Sequence, residues 1–400
     1  MPNHPAERNH DPIRNAYRSQ HDGADTPPKL PNKDDPQMTD AISPPVLDDP
    51  AGLTPAWVSA ALATTGVEVE ITDVRPERVG TGQIGTSYRL HLTYTDPSTA
   101  AAAGAPASLV AKMAGGDPAS RDLISDGYRN EYGFYTEIAG TVAITTPRCW
   151  YAVISDDNTC FVLLLDDLAP AEPGEQVRGC TLDEARLALV NLAGLHGPRW
   201  CDESLRSIPW MNQQTAEGAA FYGDVLAGAV ETFNQRFAHL LPAADAELFT
   251  TIPSRLGEWM MTRPERFSTI HGDYRPDNLM FLPDGSAVST VDWQTLGLGL
   301  PGRDVGYFLA TSIDPALRRT HERELVGTYH DALLARGVTG HSFEECYEDY
   351  RLGTIQAPLI TILGAVYASA EPTPQSDAMF MAMATRAADA IRDLDPLSLL

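Results

Sequence analysis

The stretch "STIHGDYRPDNLMF", residues 268–281, decides how this chain reads. It sets His271, Asp273, Arg275, Asp277 and Asn278 between two apolar flanks, Thr269-Ile270 before and Leu279-Met280-Phe281 after. A polar turn joining two buried strands would account for this segment in isolation. The next carboxylate asks for more. "AVSTV" is strand-like, and "TVDWQ" puts Asp292 fourteen residues beyond Asn278. The segment then folds as a hairpin with two oxygen donors, Asn278 and Asp292, at its open end. Hard oxygen donors, completed by phosphate oxygens and water, suit magnesium. Asp273 is left to receive a hydroxyl proton, a role in which geometry counts for more than a shifted pKa.

Upstream lie two weaker signals. "GTGQIG" (80–85) is a literal G-x-G-x-x-G. A dinucleotide fingerprint would need a helix next, whereas the alternating "TSYRLHLTY" follows. Two readings stand: an ordinary hairpin turn, or a loop in which Gly80, Gly82 and Gly85 offer backbone N–H groups to phosphates without Cβ obstruction. Lys112 in "LVAKMA" is either an edge or solvent-facing lysine, or an ammonium aimed at the α- and β-phosphates. The second reading requires an anchoring carboxylate. Glu131 on the following helix is placed to serve, with Glu137 a less suitable substitute.

Composition narrows the function classes. Four hundred residues with 43% hydrophobic content support two domains or one two-lobed unit. A net charge of −25 argues against nucleic-acid binding and against docking on an anionic membrane. The five cysteines, Cys149, Cys160, Cys180, Cys201 and Cys346, show no C-x-x-C spacing and fit a reducing compartment. No signal peptide is evident, and "APLITILGAVYASA" (357–370) is too short to span a bilayer and reads as a buried helix. The expectation is a cytoplasmic protein.

Residues 1–45 lack periodicity and are expected to be a disordered extension, with Met38 a sensible start for the folded part. "LTPAWVSAALATTG" reads as a helix capped by Thr54. In "SYRLHLTY" Tyr88, Leu90, Leu92 and Tyr94 share one strand face, and "SLVAKMA" and "TCFVLLLDDL" are further strands. "SRDLISDGYRNEYGFYTEIAG" has helical spacing, and from "TLDEARLALVNLAGLHG" onward helices dominate. Strands first and helices after predict an α+β, two-lobed protein: an antiparallel sheet lobe with one key helix over 46–167 and a mainly helical lobe over 168–400.

The set "GTGQIG", "LVAK", "NEYGFY", "LLLDDL", "HGDYRPDN" and "DWQ", in order over about residues 80–310, resembles the aminoglycoside phosphotransferase and choline kinase-like family, in particular its ecdysteroid-kinase-like and related bacterial phosphotransferase members. H-G-D-x-x-x-x-N followed by D-x-x at this distance is its most specific element. The resemblance implies a protein-kinase-like fold that phosphorylates a small-molecule hydroxyl, with Mg²⁺ and ATP or GTP as phosphate donor. Carried over, Asp273 looks like the base and Asn278 and Asp292 like metal ligands. Lys112 looks like the phosphate lysine, Glu131 like its partner, and Asp166, Asp167 and Leu168 like the hinge whose backbone meets the purine. Asp304 in "GRDVGYFLA" looks like a brace for the catalytic loop, and His271 like a residue that orients it. Arg275 is expected to steady the γ-phosphate during transfer.

Two rivals follow from the same residues: a catalytically idle nucleotide-binding protein of this fold, and a Ser/Thr protein kinase. Against the second, "TLGLGLPGRD" follows "DWQ" almost at once, with no A-P-E-like segment or long activation stretch. Trp200, Trp210, Trp259 and Tyr367 are candidates to line an acceptor pocket, although aromatics at helical spacing are more often core.

Overall fold

The computed structural model describes residues 43–80, 85–116, 118–211, 213–368 and 372–400. The expectations for residues 1–42, the Met38 start and Gly82 lie outside the described residues. The first folded helix, α1 (Pro55–Ala63), starts where Thr54 accepts the Trp57 N–H and Pro55 takes the first helical position. Both features satisfy or remove a donor that the helix leaves unpaired.

Five strands follow: β1 (Ile71–Val79), β2 (Gly85–Tyr94), β3 (Ser108–Ala114), β4 (Cys149–Ile154) and β5 (Phe161–Asp166), with a short helix α2 (Pro97–Ala102) between β2 and β3. They form one antiparallel sheet in the order β1-β2-β3-β5-β4. Alternation along the central strands serves two cores at once. Val162 and Leu164 of β5 join Leu90, Leu109, Ala111 and Met113 against α1 on one face. Phe161, Leu163 and Leu165 enter the larger core on the other face, with Tyr128 and Phe134. A strand buried on both sides reads as a continuous apolar run, which is why "FVLLLD" shows no polar alternation. Each such side chain contributes roughly 1.5–3 kcal/mol by burial.

The helical segment after β3 is not one α-helix. It runs as a 3-10 turn (Pro118–Ile124), α3 (Ser125–Gly133), a π turn (Phe134–Ile138) and a second 3-10 turn (Ala139–Thr141). The π turn lets Phe134 stack on Trp293 with ring centroids 3.5 Å apart.

Past β5 the chain makes the short β6 (Glu172–Pro173) and helices α4 (Leu182–His196), α5 (Ala216–Arg236), α6 (Ala243–Thr251) and α7 (Pro253–Met260). Four three-residue strands come next: β7 (Ser268–Ile270), β8 (Leu279–Phe281), β9 (Val288–Thr290) and β10 (Gly297–Gly299). β7 pairs with β10, and β8 with both β6 and β9. Helices α8 (Gly302–Ser312), α9 (Pro315–Ala335), α10 (Phe343–Gly353), α11 (Gln356–Leu363) and α12 (Pro374–Leu394) complete the lobe. The apolar run from 357 is α11, closed by a π turn (Gly364–Ala368).

Every residue of α8 is buried, and its seat on α10 depends on glycine. A Cβ at Gly353 would fall 1.7 Å from the Gly302 carbonyl oxygen, and one at Gly306 would fall 2.2 Å from the Gly353 carbonyl carbon. The result is an α+β, two-lobed, protein-kinase-like fold with an antiparallel sheet lobe and a mainly helical lobe. No helix among the described residues is long and apolar enough to cross a membrane.

Candidate active site

The loop from β7 to β8 is held from below by α8. Asp304, fully buried, accepts the backbone N–H of His271 at 2.6 Å and of Gly272 at 2.9 Å. Its carboxylate also meets His196 Nε2 at 3.2 Å. Burial works against the Asp304 charge, but these hydrogen bonds and the nearby histidines outweigh it and hold the carboxyl below its ordinary range. Gly272 has φ +83, and a Cβ there would lie 2.5 Å from the Thr295 carbonyl oxygen, so both conformation and space demand glycine. His271 spans the loop: Nδ1 accepts the Asp273 N–H at 3.2 Å and Nε2 donates to the Val291 carbonyl at 3.1 Å.

Asp273 sits at the loop's apex with 22% of its side chain exposed. Its Oδ2 accepts from Asn278 Nδ2 at 3.0 Å and from Arg275 Nε at 3.2 Å, and its Oδ1 accepts from the Tyr307 hydroxyl at 2.7 Å. Arg275 also pairs with Asp277, whose other oxygen accepts the Gln176 N–H at 3.0 Å. Burial opposes the guanidinium charge, but Asp273, the Tyr307 environment and Asp277 raise its pKa above the usual arginine value.

The hairpin places the two oxygen donors at one end. Leu279 pairs with Thr290, and the Val291 N–H donates to the Asn278 carbonyl at 3.0 Å. Asn278 commits its amide nitrogen to the Asp273 carbonyl (2.9 Å) and carboxylate, so its amide oxygen is the atom left to act as a ligand. Asp292, in the left-handed region at φ 68, keeps 41% of its side chain exposed. No cluster of three or more His, Cys, Asp or Glu side chains suited to a metal occurs among the described residues. The donors present are one amide and one carboxylate oxygen. That set fits an ion that draws its remaining ligands from phosphate and water, as magnesium does.

Lys112 is not an edge residue. β3 lies inside the sheet, and the strand alternation that sends Leu109, Ala111 and Met113 toward α1 sends Lys112 to the opposite face. There its Nζ lies 2.7 Å from Glu131 of α3 and 3.0 Å from Asp292 Oδ1. Burial disfavours the ammonium, but Asp292 and Glu131 outweigh it and raise its pKa. Glu137 is elsewhere, holding Arg129 at 3.1 Å and the Trp210 indole at 2.9 Å.

Gly80 has φ +73, and a Cβ at Gly85 would approach Lys112 Cε to 3.0 Å and Gln294 Nε2 to 3.1 Å. The glycine at 85 thus lets the strand start lie directly over the lysine. At the end of β5, Asp166 accepts the Trp150 indole N–H at 2.6 Å. Asp167 is clamped by Arg89 at 2.8 Å and Ser108 at 2.8 Å. Both side chains are thus committed to partners within the sheet lobe. The Leu168 carbonyl accepts the Ala171 N–H at 2.8 Å.

Two residues outside the sequence-based expectations also shape the site. Tyr307 is one; its signal was its position three residues after Asp304, on the same face of a helix. Gln356 is the other: its amide donates to the Gly272 carbonyl at 3.0 Å while Arg303 holds its oxygen at 2.7 Å. Of the four aromatics considered for a pocket, Trp259 is core, its indole bonded to the Leu352 carbonyl at 2.7 Å. Trp200 packs on His341 and Trp210 under Arg129, whereas Tyr367 is 63% exposed. A 930 Å³ groove lined by Ala219, Gly223, Glu231 and Gly257 contains none of the predicted site residues.

The chain is 32% identical over 113 residues to mouse acyl-CoA dehydrogenase family member 10, a match covering 26% of this chain and 10% of that protein. Among solved structures, it is similar to choline kinase from Cryptosporidium parvum, with 11% identity and a TM-score of 0.49 over 82% of this chain and 92% of that one. It is also similar to a putative aminoglycoside phosphotransferase from Ralstonia eutropha, with 18% identity and a TM-score of 0.46 over 83% and 97%. The sequence model of the ecdysteroid kinase-like family matches residues 83–337, well over half of the chain. The chain belongs to the ecdysteroid kinase-like family.

Proposed function

We propose that this protein transfers the γ-phosphate of ATP or GTP to a hydroxyl group of a small-molecule acceptor. The observation that carries the reading is the convergence of Asp273, Asn278, Asp292, Lys112 and Glu131, drawn from both lobes, on one edge of the β7–β10 region. Residues 46–167 form the nucleotide-binding lobe, and residues 168–400 supply catalysis and the acceptor site.

The acceptor hydroxyl gives its proton to Asp273 as its oxygen bonds to the γ-phosphorus. The bond from that phosphorus to the β–γ bridging oxygen breaks, and the electron pair leaves with the nucleoside diphosphate. Little covalent chemistry is asked of the protein, so positioning and charge neutralisation dominate. Asn278 and Asp292 are the residues that would hold magnesium, which when bound neutralises phosphate charge. Lys112, kept in place by Glu131, contacts the α- and β-phosphates, and Arg275 stabilises the charge that shifts onto the γ-phosphoryl group. Gly80, Gly82 and Gly85 cover the phosphates, and the backbone of Asp166–Leu168 meets the purine. The acceptor binds against the helical lobe.

Calorimetric titration with ATP and GTP, with and without Mg²⁺, tests the reading. Magnesium-dependent binding that weakens in Asp292→Ala, together with turnover lost in Asp273→Asn, supports it. Binding without turnover over a broad acceptor range points instead to an idle nucleotide-binding protein.

A further inference from the structure

The base in this reading has two chemically distinct oxygens. A carboxylate oxygen offers about two lone-pair sites. Oδ2 of Asp273 already accepts Asn278 Nδ2 at 3.0 Å and Arg275 Nε at 3.2 Å. Oδ1 accepts the Tyr307 hydroxyl at 2.7 Å, and that single donor leaves room for a second. We infer that Oδ1 is the oxygen that takes the acceptor's proton, and that Tyr307 is the positioning residue that aims it. The inference rests on Asp273 being the base.

Tyr307 is built for this task. It is fully buried on α8, one helical turn from Asp304. One face of a single helix therefore fixes both the loop backbone, through Asp304, and the carboxylate, through Tyr307. Gly306 lies between them in sequence, and a Cβ there would lie 2.2 Å from the Gly353 carbonyl carbon, so α8 seats closely on α10. Burial, and next the Asp273 charge, push the Tyr307 hydroxyl well above its ordinary pKa, so it remains a donor through the working pH range. Its bond to Oδ1 leaves the carboxylate less freedom to rotate away from an approaching hydroxyl, and small misplacements are costly in such steps.

The test pairs a structural arm with a kinetic one. Tyr307→Phe removes one oxygen and keeps the ring in the core. In crystals of the variant, the Asp273 carboxylate is expected to rotate or divide between two orientations, with the contacts of the Asp273 backbone to Asn278 and His271 retained. An unmoved carboxylate would overturn the inference. With any acceptor that the wild type turns over, kcat is expected to fall about tenfold, the size of one lost oriented hydrogen bond, while KM for nucleotide and acceptor and the melting temperature stay close to wild type. Unchanged kcat, or KM rising with kcat preserved, would also overturn it. Should Tyr307→Phe not fold, the ¹³Cζ resonance of Tyr307 in Asp273→Ala reads the contact from the other side. It should move, and a fixed resonance counts against the contact. If Asp273→Asn turned over like the wild type, the base reading would fall, and the crystallographic arm would still judge the role of Tyr307.

Discussion

The Lys112 ammonium, on β3 of the sheet lobe, lies 3.0 Å from the carboxylate of Asp292, just past β9 in the helical lobe. With Glu131 at 2.7 Å on its other side, this one cation couples the two lobes where the phosphates are proposed to bind. Lys112→Met should therefore weaken nucleotide binding by about tenfold or more, since a charge-assisted contact is worth roughly 1.5–3 kcal/mol. Lys112→Arg should not restore it, because a planar fork does not fit between two carboxylates placed for a compact ammonium. Titration calorimetry checks both, and wild-type affinity in Lys112→Met would remove the lysine from the phosphate site.

Arg275 reaches Asp273 and Asp277 from within the same loop. Arg275→Ala is expected to lower kcat about tenfold with a smaller effect on nucleotide KM, the pattern of a contact strengthened in the transition state. Steady-state kinetics decide it. A change in kcat below about threefold would end its assignment to the γ-phosphate.

The α8–α10 crossing gives a stability prediction independent of activity. A Cβ at Gly353 would lie 1.7 Å from the Gly302 oxygen, a backbone atom with nowhere to go. Gly353→Ala should lose at least 1–3 kcal/mol, the range for overpacking a tight core. Because α8 carries Asp304 and Tyr307, catalysis should fall with it. Urea unfolding that shows the variant as stable as the wild type would contradict the packing account.

His341 supplies a pH dependence. It is buried, and burial together with Arg266 lowers its pKa from 6.5 to about 4. Below pH 6.5 the unfolded chain binds a proton that the folded chain refuses, so this residue removes stability progressively as pH falls toward 4. Its neighbour Asp349, raised to about 6 by burial despite Arg266 and Arg263, acts with the opposite sign in the same window. The difference between wild type and His341→Gln isolates the histidine: the variant should lose less stability between pH 6.5 and 4.5. Parallel stability curves would contradict the lowered value.

The order of strands and helices made the two-lobed fold legible, because β and helical periodicities are local properties. The spacing of Asp273, Asn278 and Asp292 was legible for a related reason: a short hairpin admits few ways to join its ends. The pairing of Lys112 with Glu131 was one of two readings left open by the order of strand lysine and helix glutamate, and the place of β3 inside the sheet decides it. Other features depended on tertiary contacts. Residues 118–141 have an apolar period close to a helix's, which does not disclose their division into 3-10, α and π segments or the stacking of Phe134 on the distant Trp293. Tyr307 was hidden because an aromatic in an apolar helix reads as core. Its hydroxyl becomes informative once α8 is seen beneath a loop more than thirty residues earlier in the chain. Gln356 was hidden because it stands just before the apolar run read from 357, and its partner Gly272 is distant in the chain.

The most direct test of the central claim is release of ADP or GDP with Mg²⁺ across hydroxylated acceptors, namely aminoglycosides, sterols, sugars, choline and macrolides, with Asp273→Asn beside the wild type. The account predicts diphosphate release that depends on one acceptor class, with the phosphorylated acceptor detected by mass spectrometry, and its loss in the variant. Equal turnover by wild type and Asp273→Asn would contradict it.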